Sequence, residues 1–374
     1  MTELRSYPDA ASSFARASLL AYLFLIIYAS CYPFSGWHDA GVAAFSYLLA
    51  PFPRYWTWFD LTTNIIGYIP FGLLSIFALS PSIKGKRAVL LAIIFGTALS
   101  VLLEAVQTFL PSRVSSNLDL LANAAGACIG AFAGHFLRPS FFDDGRFHRL
   151  SQRWFRQESS RALIVLALWP LAQIYPQAYL FGHGEITPIL SEWLSRLFGM
   201  PLDLADMVRG GMRLTVEQYW LAEIIITACG LTGAILILLC MVRRSAPKTM
   251  LALLMAICAL FVKSFSSALL FTPDNAFTWL TPGALGGIFF GALMLYGLAF
   301  APAIAQRRMA VLMLMINLTV VNIVPANHYF VLTLQAWAQG KFMNFNGAAH
   351  FVLLFWPLLA LWFLFQPIHH PKNE

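Results

Sequence analysis

Apolar residues run along the chain in ten long stretches, near 18–34, 60–80, 87–110, 118–137, 161–181, 219–242, 249–271, 283–304, 309–325 and 348–366, separated by polar connections. A helix rises 1.5 Å per residue, so roughly 20 apolar residues cross a hydrocarbon core about 30 Å thick. The pattern predicts an all-α, polytopic integral membrane protein of about ten transmembrane helices. Between the stretches the basic residues sort by side. With the N-terminus inside, 17 of the 24 Lys and Arg fall in cytoplasmic segments, and Arg54, Arg113, Arg196, Arg209, Arg213 and Lys341 fall outside. Lys263 alone lies within a stretch. The positive-inside rule therefore puts both termini in the cytoplasm.

Composition narrows the class further. The chain is 59% hydrophobic and 11% charged, against roughly 25% charged for soluble domains. The formal net charge of +7 describes membrane orientation and attraction to anionic lipid, and implies no nucleic-acid partner. The first 17 residues are polar and the apolar run after them lacks a small-residue cleavage site, so the first helix is expected to stay. Cys31, Cys128, Cys229, Cys240 and Cys258 lack paired spacing and read as small apolar residues. The localisation expected is a bacterial inner membrane.

Three regions are predicted: an N-terminal membrane region, 1–137; a basic cytoplasmic connection, 138–160, in which Trp154 and Phe155 suggest an interfacial helix; and a C-terminal six-helix region, 161–374. Within the last, 182–218 alternates apolar and charged residues and predicts one or two interfacial helices on the extracytoplasmic side. Phe109-Leu110-Pro111 followed by a glycine-rich run is echoed by Phe271-Thr272-Pro273 and a second such run. Two parallel repeats of the transporter kind would leave this trace, and so would chance in apolar helices.

Polar residues concentrate at one end of the second, third and fourth stretches. Asp60, Asn64, Gly67 and Tyr68 share a helix face, as do Ser100, Glu104, Gln107 and Thr108. On the fourth stretch Asp119 and Asn123 run into Gly126, Gly130 and Gly134, a groove in which a neighbouring helix can approach closely. Glu104 lies seven residues before Pro111, roughly 10 Å along a helix, at a depth where an ionised carboxylate costs about 2.5–3.5 kcal/mol without a partner. It reads either as a functional group or as half of a buried ion pair. Asp119, three residues after Ser116, fits a capping box as well as a site role, and Asp60 likewise opens a helix. Arg113 would neutralise one of the carboxylates or grip a phosphate or carboxylate in its planar fork.

Asp60-x-x-x-Asn64, Tyr68-x-Pro70-x-Gly72, Glu104-x-x-Gln107-x-Phe109-Leu110-Pro111-x-Arg113 and Asp119-x-x-x-Asn123-x-x-Gly126 follow one another in an order and spacing that resembles the VanZ-like family, over residues 56–137. That resemblance implies envelope biology and resistance to glycopeptides of the teicoplanin type. Asn64 stands where some members carry His, so a role in proton chemistry is not expected of it here.

In the second half Lys263 sits deep enough to need a partner, with Glu223 and Glu104 as candidates. Asn317, Asn322, Asn327, His328, Asn344, Asn346 and His350 lie toward the outer side. They would bind a sugar or headgroup beside Trp337 and Phe345, or satisfy broken backbone near Pro325 and Gly347. No Ser-His-Asp order, P-loop, dinucleotide fingerprint or metal-ligand spacing occurs, so no cofactor is expected.

The leading expectation is a membrane lipid as partner, a lipid-linked saccharide or a phospholipid, bound by Arg113, Gln107, Asn64, Asp60, Asn123 and Tyr68. If chemistry follows, Glu104 would be the general acid or base and Asp119 its electrostatic partner. A non-enzymatic scaffold or resistance factor and a proton-coupled transporter or flippase are the alternatives.

Overall fold

The computed structural model describes residues 7–32, 34–39, 41–80, 82–111, 113–142, 153–155, 160–243, 245–271, 273–326, 330 and 343–366. Among these the secondary structure is helical, with one isolated bridge between Phe155 and Val242. Six helices are long and apolar enough to cross a membrane, and three shorter apolar ones accompany them. The chain is built as a multi-pass membrane protein, in two compact units, Met1–Gln152 and Arg153–Glu374.

The N-terminal unit consists of α1 (Tyr7–Cys31), α2 (Trp58–Leu79), α3 (Gly85–Gln107) and α4 (Asn117–Phe142). Helices α2 and α4 make its closest pairing. A Cβ added at Gly126 or Gly130 would fall less than 3.0 Å from the carbonyl oxygen of Ile65 or Ile69, and one at Gly72 would meet the Ala127 carbonyl. Lipid tails supply no hydrophobic drive between helices, so backbone approach over small residues is what joins them. Leu90, Ile94, Phe95, Leu121, Ile129, Phe132 and Phe136 stay exposed on the outside, as an apolar solvent permits.

The C-terminal unit comprises α5 (Ser160–Leu171), α6 (Thr187–Phe198), α7 (Leu204–Arg209), α8 (Val216–Met241), α9 (Lys248–Leu270), α10 (Pro282–Leu298), α11 (Ala303–Ile323) and α12 (Met343–Phe365). Helix α8 is central, with 83% of its apolar window buried. Gly287 and Gly291 of α10 pack on its Thr227, Ile224 and Ala228, as α4 packs on α2 in the other unit.

The expected span 161–181 is not one helix. Helix α5 has 12 residues and contains Pro170, and the chain from Ala172 to Ile186 is irregular yet largely buried. Irregular backbone inside an apolar unit needs outside partners for its polar groups. Thr227 Oγ1 donates to Leu180 O (3.1 Å), Asn317 Nδ2 to Phe181 O (3.1 Å) and Tyr179 Oη to Pro325 O (2.6 Å). Asn322 donates to Gly184 O and accepts from the Ile186 and Thr187 amides at 2.8 Å. Asn317 and Asn322 thus satisfy broken backbone. His350 stacks on Tyr175 with ring centroids 4.3 Å apart. Asn327, His328 and Trp337, and the side chains of Asn344, Phe345 and Asn346, lie outside the described residues.

The segment 182–218 forms the short helices α6 and α7, which expose Trp193, Leu197, Phe198, Met207 and Val208. Of the connection in which an interfacial helix is expected, 143–152 and 156–159 lie outside the described residues; those described include Trp154, which is helical, and Phe155. Both pack on the core of the C-terminal unit, with the Trp154 carbonyl accepting from Arg243 N at 2.8 Å.

Candidate functional site

Three helices of the N-terminal unit bring polar residues to one end: α2 and α4 where they begin, α3 where it ends. Each start needs a cap, because the first amides of a helix have no intrahelical acceptor. At α2, Thr57 Oγ1 accepts from Asp60 N (3.1 Å) and donates to Asp60 Oδ2 (2.6 Å). Asp60 is exposed and its carboxylate is engaged in that cap.

At α4 the cap is divided between two helices. Ser116 Oγ accepts from Leu118 N (3.2 Å) and Asp119 N (3.4 Å), while the Ser116 N–H donates to Glu104 Oε2 at 2.8 Å. In a capping box the third helical residue, here Asp119, would reach back to that N–H. Glu104, arriving from α3, takes the position instead. Its charge then faces the N-terminus of α4, where the helix dipole favours an anion. Asp119, released from the box, accepts from Asn64 Nδ2 at 2.8 Å and ties α4 to α2.

Glu104 is only 4% exposed, and among the described residues its second carboxylate oxygen accepts no hydrogen bond. Further down, Asn123 Nδ2 donates to Ser100 Oγ (2.9 Å), and Asn123 Oδ1 is buried without a partner. Tyr68 is enclosed in the core beside Ser100.

Helix α1 completes the group. Its last carbonyls lack intrahelical donors, and two site residues supply them: Gln107 Nε2 to Ser30 O (3.0 Å) and Arg113 Nη2 to Ala29 O (3.3 Å). A cation at a helix C-terminus is favourable. Arg113 forms no ion pair with Glu104 or Asp119 among the described residues. Burial pulls its guanidinium below the ordinary value, and the charges of Glu104, Asp119 and Cys31 oppose that pull. Arginine keeps its proton under such shifts, so Arg113 stands as a half-buried cation with one backbone bond and several donors unspent.

Over this end lies the connection between α1 and α2, residues 34–57, which the polarity pattern did not single out. It is fastened to the site: Tyr47 Oη donates to Val101 O (3.0 Å), Thr108 Oγ1 to Ala44 O (3.3 Å) and Asn117 Nδ2 to Ala50 O (2.6 Å). Many of its apolar side chains point away, with Leu49 and Tyr55 each 95% exposed and Phe52 and Trp56 also outward, as is Trp58 at the start of α2. Aromatic residues in this position mark the lipid headgroup level. The density of Phe, Tyr and Trp in 45–59 is the signal that would have flagged it. Ser115 was likewise legible as a polar residue only, whereas Ser116 was already placed as the start of a capping box. Among the described residues no three His, Cys, Asp or Glu side chains gather as metal ligands.

Neither the curated proteins nor the solved structures compared with this chain gave a match. A family model does match, and it reaches back beyond the motifs to include α1, whose terminal carbonyls hold Gln107 and Arg113. Residues 17–138 match the VanZ/LLP1 family model, and the N-terminal unit is accordingly a VanZ-type membrane domain.

Proposed function

We propose that the VanZ-type domain binds the anionic headgroup of a membrane lipid, sugar- or phosphate-bearing, at the extracytoplasmic leaflet of a bacterial inner membrane. The observation that carries this reading is Arg113: a half-buried cation whose guanidinium makes a single backbone bond and no ion pair among the described residues, beneath an aromatic loop. A guanidinium fork matches a phosphate or carboxylate in shape and charge. The sidedness rests on the distribution of Lys and Arg, which favours cytoplasmic termini for a chain of about ten spans. Glu104, through its unbonded oxygen, is the residue for proton transfer if the bound lipid is modified, and Asp119 is its electrostatic neighbour. The same binding would underlie a role in the cell envelope and in teicoplanin-type resistance.

An architectural reading has its own support. The bonds Glu104 to Ser116, Asp119 to Asn64 and Gln107 to Ser30 each join two helices. Native mass spectrometry of the purified full chain separates the two. A discrete lipid carried by the wild type is expected to be lost in Arg113→Ala and retained or accumulated in Glu104→Gln. Identical lipid profiles in all three proteins, with differences in stability alone, would leave the polar cluster as architecture.

A further inference from the structure

The C-terminal unit contains its own cavity, of about 60 Å³, between α8, α9, the irregular segment after α5 and the turn that leads into α10. Lys263, Glu223, Gln177 and Ser267 line it, with Trp279 and Phe271 as aromatic wall. Lys263 is 4% exposed, Glu223 3% and Gln177 8%. The pair expected between Lys263 and Glu223 does not form. Glu223 turns away: its Oε1 accepts from Thr281 Oγ1, the N-cap of α10, and its Oε2 lies against Gly283 in the first turn. The positive end of the α10 dipole meets that carboxylate. Lys263 makes no hydrogen bond or ion pair among the described residues.

Gln177 adds a second unmet group. Its Nε2 donates to Gln173 Oε1 (3.0 Å) and Ala172 O (3.3 Å), which fixes the orientation of the amide, and its Oε1 is buried without a partner. Gln173 is anchored in turn to Trp169 O and to His183 Nε2. The cavity therefore presents a buried cation without a partner among the described residues, and the unsatisfied Gln177 oxygen lies within its wall, closed off from the space inside. Buried charges are normally paired, and buried polar atoms normally bonded.

We infer that this cavity is a second binding site, in which Lys263 holds the anionic group of a ligand. A single water needs about 10–15 Å³ by this measure, so 60 Å³ admits a group of roughly four to six heavy atoms. That is the size of a phosphate or carboxylate bearing a carbon or two. A phospholipid headgroup and a small soluble phosphate share this chemistry. The inference stands apart from the reading of the VanZ-type domain, since it uses none of its residues.

The test takes the full chain in detergent and in nanodiscs, with glycerol 3-phosphate as the soluble probe and phosphatidylglycerol against phosphatidylcholine as the lipid probes. Thermal unfolding is the readout, on wild type, Lys263→Met and Lys263→Gln. A probe that raises the wild-type midpoint identifies the source, soluble or lipid. Both variants are expected to weaken that probe at least about tenfold, the loss of one charge-assisted hydrogen bond. Without ligand they are expected to unfold at or above the wild-type midpoint, because an uncompensated buried charge is removed. A fall in the ligand-free midpoint would show that Lys263 is a structural partner and overturn the inference. So would an unchanged response to every probe, which would leave the cavity to water alone.

Discussion

Gly130→Ala is expected to remove the N-terminal unit from the folded population, the largest effect of any single methyl group in that unit. The added Cβ would lie less than 3.0 Å from the carbonyl oxygen and also from the carbonyl carbon of Ile69. Those atoms belong to the backbone of α2, so no rotamer change relieves the clash and the helices must separate. Overpacking against side chains costs about 1–3 kcal/mol, and a backbone neighbour puts this substitution at or beyond the upper end. Separation would also open the Asn64–Asp119 bond, which spans the same pair of helices. Gly126→Ala meets the Ile65 carbonyl in the same way and should behave alike. Gly297→Ala, at a position with nothing within 4 Å, is the matched control and should be neutral or slightly stabilising. Thermal unfolding and gel filtration in detergent read the contrast; wild-type behaviour of Gly130→Ala would mean that α2 and α4 do not meet through their backbones.

Glu104→Ala is expected to cost about 2–3 kcal/mol, whereas Glu104→Gln should cost less than about 1. The alanine leaves the Ser116 N–H without its acceptor at the start of α4, and a bond to a charged group is worth about 1.5–3 kcal/mol. Glutamine keeps an amide oxygen where Glu104 Oε2 accepts at 2.8 Å and removes only the charge. The two substitutions therefore divide architecture from chemistry. If Glu104→Gln is stable, carries lipid and has lost whatever the wild type does to it, the carboxylate's proton is the functional element. If both variants unfold together, the charge itself holds α3 against α4, through the dipole of α4.

The helices were legible because an apolar stretch of the length of a bilayer has few other folds open to it. Nine of the ten stretches overlap a helix of the structure, although the ends differ by several residues in places, most at α1, which starts at Tyr7 and not near 18. The tenth, 161–181, failed because hydropathy measures transfer and says nothing of hydrogen bonds. The residues from Ala172 onward continue the stretch and are largely buried, yet the regular helix, which contains Pro170, ends at Leu171, and side chains distant in sequence, Thr227, Asn317 and Asn322, satisfy the open backbone. No local pattern encodes partners that far away.

The same division runs through the candidate sites. Sequence alone determined that Glu104, Gln107, Asp119, Asn123 and Asn64 share one end of three helices, since a 3.6-residue period and alternating directions leave no other placement. It also determined the glycine groove and the motifs of the VanZ-type domain. Only tertiary structure decided what each polar group does with its hydrogen bonds. Glu104 rather than Asp119 closes the cap of α4, Arg113 goes to the end of α1 rather than to Glu104 or Asp119, and Glu223 goes to α10 rather than to Lys263. A carboxylate or a guanidinium has several partners within reach of its side chain, and which one it takes depends on the distances between helices, which are set by packing and not by the period of any one of them.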